Sequence, residues 1–417
     1  MIKKIYNYFM KESLYRNSIY LILSSFVMGA LGFFFWMINS KLFTAHQIGI
    51  ATTLISVIGL INTFSLLGLN TGLIRFLPTA ERKNDKINTV LTISVLMSII
   101  VSTIFLLGLK FFSPELLFIK QNLYYSIFFI FSMVFMILFV LMDSVFIAYR
   151  ESKYILVKNT VFSLLKLVFP FLFVSFGAVG IFGSYTISAL LGFLTVLIIL
   201  IFKFKYKFKF LFYDNILKKI FPFSFGNYIA NFLGSLPTLL LPLLITNLIN
   251  PETTAYYYMA MMIAGLLFVI SGSISQSLFA EGSYKENNLK EQIKKASKFI
   301  SLIMIPAIIL IVFLGQYILL LFGKAYSDEG FRLLQILALS GIFMAINSVF
   351  ASILRVKHKV KALIVVNAVS ALLLLVLSYL LISQGLTGIG IAWIIGQGFG
   401  TLLYVVFVLT MRKEVKK

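Results

Sequence analysis

Residues 122–148 read "NLYYSIFFIFSMVFMILFVLMDSVFIA", an almost wholly apolar stretch with a single charged residue, Asp143. A helix of this length crosses the roughly 30 Å of hydrocarbon in a bilayer. Similar runs recur along the 417-residue chain, of which 60% is hydrophobic and only 12% charged. The mean hydropathy is +1.01. A water-soluble domain needs far more polar surface, so the composition predicts a protein that spans the membrane many times.

Twelve apolar runs are long enough to cross the bilayer as helices, which predicts an all-α integral membrane protein. The predicted spans are 18–38, 48–69, 89–109, 122–148, 156–176, 179–202, 222–247, 254–280, 298–321, 332–354, 362–383 and 387–411.

The positive charges test this arrangement independently, because Lys and Arg collect in cytoplasmic loops. Nearly all of the 36 Lys and Arg residues fall in alternate loops on one side, and Lys158 is counted with them. The other side has only Lys41, Lys110, Lys120, Lys324 and Arg332, and Lys166 lies inside span five. Both termini are therefore predicted to be cytoplasmic. The net charge of +22 is then a basic collar on anionic lipid headgroups and not a nucleic-acid surface.

Several classes of chemistry are excluded by what the sequence lacks. There is no cysteine and there are only two histidines, so neither a disulfide framework nor a thiolate or histidine metal cluster is expected. No G-x-x-x-x-G-K-[ST] loop is present, so the chain has no ATPase motif of its own. The loops are short and lack clustered carboxylates. We therefore predict a non-enzyme without a cofactor, in which coupling to H⁺ or Na⁺ remains open.

The two halves of the chain resemble each other. Span four ends "DSVFIAYR" (143–150) and span ten ends "NSVFASILR" (347–355). A shift of 208 positions pairs Asn159 with Asn367, Gly177 with Gly385, Gly180 with Gly388 and Gly192 with Gly400. Matches in chain order indicate an internal repeat. Because each half has six spans, the two repeats share one orientation, as in transporters with two parallel lobes around a central cleft.

The predicted domains follow from this repeat. They are an amino-terminal lobe at 1–202, a basic cytoplasmic linker at 203–219 and a carboxy-terminal lobe at 220–417. The linker "KFKYKFKFLFYDNILKK" alternates lysine with aromatic residues. This alternation is compatible with a β-strand, but we favour a segment that lays its rings into the lipid headgroups.

Two further stretches resemble a known family: "LFTAHQIGIATTLISVIGLINTFSLLGLNTGLIRFLP" (42–78) and "AYYYMAMMIAGLLFVISGSISQSLFAEGS" (255–283). They are similar to the span-two and span-eight signatures of Wzx-type oligosaccharide flippases of the MOP superfamily. The resemblance covers nearly the whole chain. It implies two six-helix lobes, a location in the cytoplasmic (inner) membrane and a polyprenyl-diphosphate-linked oligosaccharide as substrate. A polysaccharide polymerase and other assembly proteins are the further partners it implies. The alternative is a MATE-like, cation-coupled exporter of soluble organic compounds.

Span five carries the most unusual charge. Asn159, Ser163, Lys166 and Pro170 are spaced as neighbours on one helical face, and an intramembrane charge usually faces the bundle interior or a watery cavity. Asp143 of span four is predicted to lie at the depth of Lys166. Two interpretations stay open: Asp143 and Lys166 form a structural pair, or Lys166 meets an anionic substrate.

Other polar residues are candidates because, in the related transporters, spans one, two, seven and eight line the cleft. Asn62, Asn227 and Asn231 would then contact sugar, although helix packing is an equally good explanation. Arg75 and Glu281 are equivalent in the repeat at the cytoplasmic ends of spans two and eight. They are either a cytoplasmic gate or two solvated charges.

Overall fold

The computed structural model describes residues 13–211, 214–284, 289–357 and 359–414. This part of the chain is helical and contains no strand, and twelve of its helices are long and apolar enough to cross a membrane. The predicted fold class and all twelve predicted spans are confirmed. The helices are α1 Ser13–Leu42, α2 Ala45–Leu66, α3 Lys83–Leu107, α4 Leu123–Ala148, α5 Lys153–Leu172, α6 Gly177–Phe204, α7 Asp214–Leu248, α8 Pro251–Tyr284, α9 Leu289–Leu320, α10 Lys324–Val356, α11 Val360–Leu380 and α12 Gly385–Glu414.

The chain forms two compact units, Met1–Tyr228 and Ile229–Lys417. The sequence placed the division at the linker 203–219, and the contacts place it slightly later, inside α7. In the first unit α5 packs against α1 and α6, and α4 packs against α3 and α6. In the second unit α10 packs against α8, α9 and α12, and α11 packs against α12. Each of these helix pairs in the second unit has an equivalent packed pair in the first unit.

Helix α2 begins with a capping box that its sequence "TAHQ" specifies. The Gln47 backbone N–H donates to Thr44 Oγ1 at 3.3 Å, and the Thr44 backbone N–H donates to Gln47 Oε1 at 3.1 Å. Two of the otherwise unpaired donors at the helix start are thus satisfied. Within α2, hydroxyl groups such as that of Ser65 bond back to the preceding turn, here to the Ile61 carbonyl at 2.6 Å. This helix is the most buried of the predicted spans.

The predicted repeat is visible where α5 and α11 give way to the next helix. A 3₁₀ turn follows each of them, and Gly177 and Gly385 then start α6 and α12 with φ values of +55° and +62°. Three residues later, a Cβ added at Gly180 would lie 2.1 Å from the Phe173 carbonyl oxygen, and one at Gly388 would lie 2.1 Å from that of Leu381. The matched glycines therefore have the same structural role in both units.

We expect Gly180→Ala to lower the stability of the protein by about 1–3 kcal/mol, because the new methyl group overlaps a backbone carbonyl that cannot rotate away. Gly388→Ala should have a similar effect in the second unit. Gly29 in α1 is a matched control, since a Cβ there would meet no atom within 4 Å. Thermal unfolding of the purified variants in detergent measures the effect. A Gly180→Ala protein as stable as Gly29→Ala would contradict the close approach.

The described start of the linker is hydrogen-bonded to α3. Residues 205–211 are neither helix nor strand, so the β-strand alternative is wrong for them. The Tyr206 hydroxyl donates to Asn88 Oδ1, and Asn88 Nδ2 donates to the Lys207 carbonyl at 2.9 Å. Burial raises the pKa of Tyr206, which keeps its hydroxyl protonated as a donor at neutral pH. Residues 212–213 of the predicted linker lie outside the described residues, and its contact with headgroups stays a prediction.

Candidate functional site

A buried ion pair joins α4 to α5 in the first unit. Lys158 Nζ lies 2.6 Å from Asp143 Oδ1 and donates to the Phe139 carbonyl at 2.7 Å. The same ammonium lies 3.6 Å from the centroid of the Phe139 ring. The Lys158 side chain is fully buried, whereas 34% of the Asp143 side chain is exposed. The lysine thus has a carboxylate, a carbonyl and an aromatic face to offset the loss of its hydration.

This pair corrects two predictions. Asp143 does not pair with Lys166, and Lys158 is not a solvated cytoplasmic charge. The physical reason is the position of the α4–α5 turn. Asp143 lies five residues before α4 ends at Ala148, and Lys158 lies five residues after α5 begins at Lys153. Both are therefore about 7.5 Å from the turn by the helical rise, at matching depth on consecutive helices.

Lys166 lies about 12 Å further along α5 and is only 4% exposed. Its ammonium lies 4.8 Å from the centroid of the Phe162 ring and 5.5 Å from that of Phe35 on α1. Within the part of the chain that the structure describes, no carboxylate or hydrogen-bond acceptor pairs with it. A Cβ added at Gly32 of α1 would lie 3.7 Å from Lys166 Nζ. Among the described residues the ammonium is thus held by the aromatic faces of α5 and α1, an arrangement that stabilises a desolvated cation by about 2 kcal/mol.

The polar face predicted for α5 is the face that α5 buries. Asn159, Ser163, Lys166 and Pro170 are all among its buried residues. Asn159 Nδ2 donates to Ser24 Oγ of α1 at 2.8 Å. Asn159 Oδ1 and Ser163 Oγ are buried and have no hydrogen-bond partner among the described residues. A buried polar atom without a partner costs about 1–3 kcal/mol, so this face retains hydrogen-bonding capacity that a ligand or water could use.

The structure shows fewer contacts for the remaining candidate residues. Asn62 is 8% exposed in α2, and its Oδ1 has no partner among the described residues. Asn231 is exposed on α7, and Arg75 is exposed in the short helix Leu69–Phe76. The side chains of Asn227 and Glu281 lie outside the described residues. Contact of Asn62, Asn227 and Asn231 with sugar, and the gate of Arg75 and Glu281, therefore stay predictions.

The second unit contains a polar pocket that the sequence did not reveal. Its volume is about 210 Å³, and α7, α10, α11 and α12 contribute to it. Its polar lining residues are Asn347, Ser348, Arg355, Asn367, Ser370, Gln397 and Tyr404. The pairing of "DSVF" with "NSVF" could have indicated it, because that match places Asn347 at the position of Asp143.

The family follows from a comparison with known proteins. The model of the family described as polysaccharide biosynthesis protein matches residues 14–279, which is well over half of the chain. This protein belongs to that family. A second family model, MatE, matches residues 228–380. Among curated proteins, no sequence relative matches.

Solved structures show the same fold as this family member. The lipid II flippase MurJ in an inward closed conformation has a TM-score of 0.75 at 16% identity, and the match covers 94% of this chain and 87% of that one. An inward-facing multidrug resistance MATE family transporter of the MOP superfamily has a TM-score of 0.74 at 13% identity, with 96% and 99% covered. The recognition of a MOP-superfamily protein from the sequence is confirmed, and the fold is that of multi-pass membrane transporters.

Proposed function

We propose that this protein moves a polyprenyl-diphosphate-linked oligosaccharide from the cytoplasmic to the outer face of the cytoplasmic membrane by alternating access. The polysaccharide biosynthesis family and the fold shared with a lipid II flippase support a lipid-linked substrate. A polysaccharide polymerase and other assembly proteins would then receive the product.

The observation that carries this proposal is the charge of Lys166. Asp143 is already neutralised by Lys158 at 2.6 Å, while Lys166 has no carboxylate among the described residues. The described interior of the first unit therefore keeps one uncompensated positive charge. A diphosphate forms short, charge-assisted hydrogen bonds with an ammonium group. An organic cation would be repelled by this ammonium. An unpaired charge inside a membrane is energetically costly and usually marks a functional site.

Coupling to a gradient of H⁺ or Na⁺ is part of the proposal. Asp143 is the intramembrane carboxylate best placed for it. Because Asp143 is paired with Lys158, a proton or sodium ion can bind Asp143 only if it weakens this ion pair.

The second candidate function is the export of soluble organic cations, which the MatE match over residues 228–380 favours. One reconstitution separates the two functions. Proteoliposomes with the full-length protein would receive a fluorescent polyprenyl-diphosphate glycan, and a membrane-impermeant quencher would report the fraction that reaches the outer leaflet. Uptake of tetraphenylphosphonium would be measured in the same vesicles. We expect flipping of the glycan lipid above the level in protein-free vesicles, and uptake of the cation no greater than in those vesicles. The reverse result would favour the exporter.

A further inference from the structure

The polar pocket of the second unit occupies the position that the Asp143–Lys158 pair occupies in the first. The matched segments place Asn347 opposite Asp143, and the shift of 208 places Val366 opposite Lys158. Both Asn347 and Val366 line the pocket. The valine side chain is too short to reach the asparagine as the lysine reaches the aspartate. Space that an ammonium group fills in the first unit is therefore open in the second.

Two glycines lie against polar side chains of the lining. A Cβ added at Gly400 of α12 would lie 2.6 Å from Ser370 Oγ and 3.6 Å from Asn347 Nδ2. One added at Gly234 of α7 would lie 3.2 Å from Asn367 Nδ2. A side chain at either glycine would therefore press against the polar groups of the lining.

Part of the hydrogen-bonding capacity of the lining is used internally. Asn347 Nδ2 donates to the carbonyl and the Oε1 of Gln397 at 3.1 and 3.2 Å, and Thr401 Oγ1 donates to Asn347 Oδ1 at 2.7 Å. Asn367 Nδ2 donates to the Ala230 carbonyl at 2.9 Å, and its Oδ1 accepts from the Tyr404 hydroxyl at 3.2 Å. Each asparagine oxygen thus accepts one hydrogen bond, and these bonds fix the orientation of both amides.

The polar groups of the lining that have no partner among the described residues are mostly hydrogen-bond donors. Gln397 Nε2, one N–H of Asn367 and the guanidinium of Arg355 have no hydrogen-bond acceptor within the described part of the chain. Ser370 Oγ is buried and likewise has no partner there. Among the described residues, Arg355 is the only charged residue of the lining, and no Asp or Glu belongs to it. A ligand for this set must be rich in acceptors and negatively charged.

We infer that this pocket, lined by Arg355, Ser370 and Gln397, binds an anionic sugar unit such as a glycosyl phosphate. The guanidinium would hold the phosphate by a bidentate contact, and the amide and hydroxyl donors would meet sugar oxygens. A volume of about 210 Å³ is below that of typical pockets for drug-sized ligands. It accommodates a single sugar unit and not an oligosaccharide. The choice of a sugar phosphate rests on the proposed function; the preference for an anion rests on the lining alone.

Calorimetry on the full-length protein in phosphatidylcholine nanodiscs tests this site with glucose 1-phosphate as the probe. We expect binding that Arg355→Gln weakens by about tenfold or more, the usual effect of removing the charged partner of a bound anion. The double variant Asn347→Asp/Val366→Lys, which copies the ion pair of the first unit, should abolish binding by filling the pocket. Lys361→Gln is the matched control, since Lys361 is exposed in the neighbouring turn of α11 and does not line the pocket.

The outcomes are distinct. No binding to the wild type, or equal binding to the Arg355→Gln variant, would overturn the site. Methyl glucoside and choline should bind far more weakly than the probe. Equally tight binding of inorganic phosphate would remove the sugar from the inference, and competition by phosphatidylglycerol in the nanodisc would assign the pocket to lipid headgroups instead. Binding that depends on Arg355 in a protein that flips no glycan lipid would retain the pocket and contradict the proposed function.

Discussion

Asp143→Asn should destabilise the protein by about 3–5 kcal/mol, the cost of leaving one member of a buried ion pair without its partner. Lys158 is fully buried, so its ammonium cannot recover hydration when the carboxylate is lost. The Phe139 carbonyl and ring remain, but neither carries a full negative charge. Thermal and denaturant unfolding in detergent, followed by the loss of the monodisperse species, measures the difference.

Replacing Lys158 should destabilise the protein less than replacing Asp143. In Lys158→Met the replacement side chain keeps most of the volume, and Asp143 is the less buried of the two partners, with 34% of its side chain exposed. The double variant Asp143→Asn/Lys158→Met should be close to Lys158→Met in stability, because no uncompensated charge is left. Equal losses in the two single variants would contradict the burial of Lys158.

The pair of Lys153 and Glu151, in which the lysine is exposed, is a control in the same region. Their charged atoms are 3.1 Å apart, but the side chains are 42% and 26% exposed. Glu151→Gln should therefore change stability by less than about 1 kcal/mol. A loss as large as that of Asp143→Asn would show that any charge change near the α4–α5 turn destabilises the protein, whatever its burial.

The spans, the repeat and the polar face of α5 could be predicted because each depends on local information. Hydropathy over a window of one helix length identifies a span. The periodicity of a helix alone places Asn159, Ser163 and Lys166 on one face, without knowledge of any neighbour. Gly180 and Gly388 matched in sequence because each meets a backbone carbonyl of the preceding turn, which is also a local constraint.

The ion pair and the polar pocket could not be predicted in the same way, because they depend on register between helices. Hydropathy predicts that span five begins at residue 156, whereas α5 begins at Lys153. That shift of almost one turn moves Lys158 from the helix end into the protein and makes it the partner of Asp143. Val366 lines the pocket where the first unit has Lys158, and hydropathy does not distinguish a packed valine from one that borders a cavity.

Lys166→Gln should lower the rate of glycan-lipid flipping by about tenfold to a hundredfold if the ammonium meets the diphosphate. A hydrogen bond to a charged group contributes about 1.5–3 kcal/mol, and each 1.4 kcal/mol corresponds to about a factor of ten. Lys166→Arg keeps the charge and should retain much of the rate. The reconstituted flipping assay measures both variants. Lys110, which is exposed beyond α3, supplies the control Lys110→Gln with an unchanged rate.

Stability separates this functional role from a structural one. Lys166 contacts the rings of Phe162 and Phe35 but has no carboxylate among the described residues, so its neutral replacement removes a desolvation cost without leaving another charge unpaired. Lys166→Gln should thus be at least as stable as the wild type while it flips more slowly. That combination would show that the charge serves transport and not stability. An unchanged flipping rate would exclude Lys166 from the substrate path and take away the main support for the proposed function.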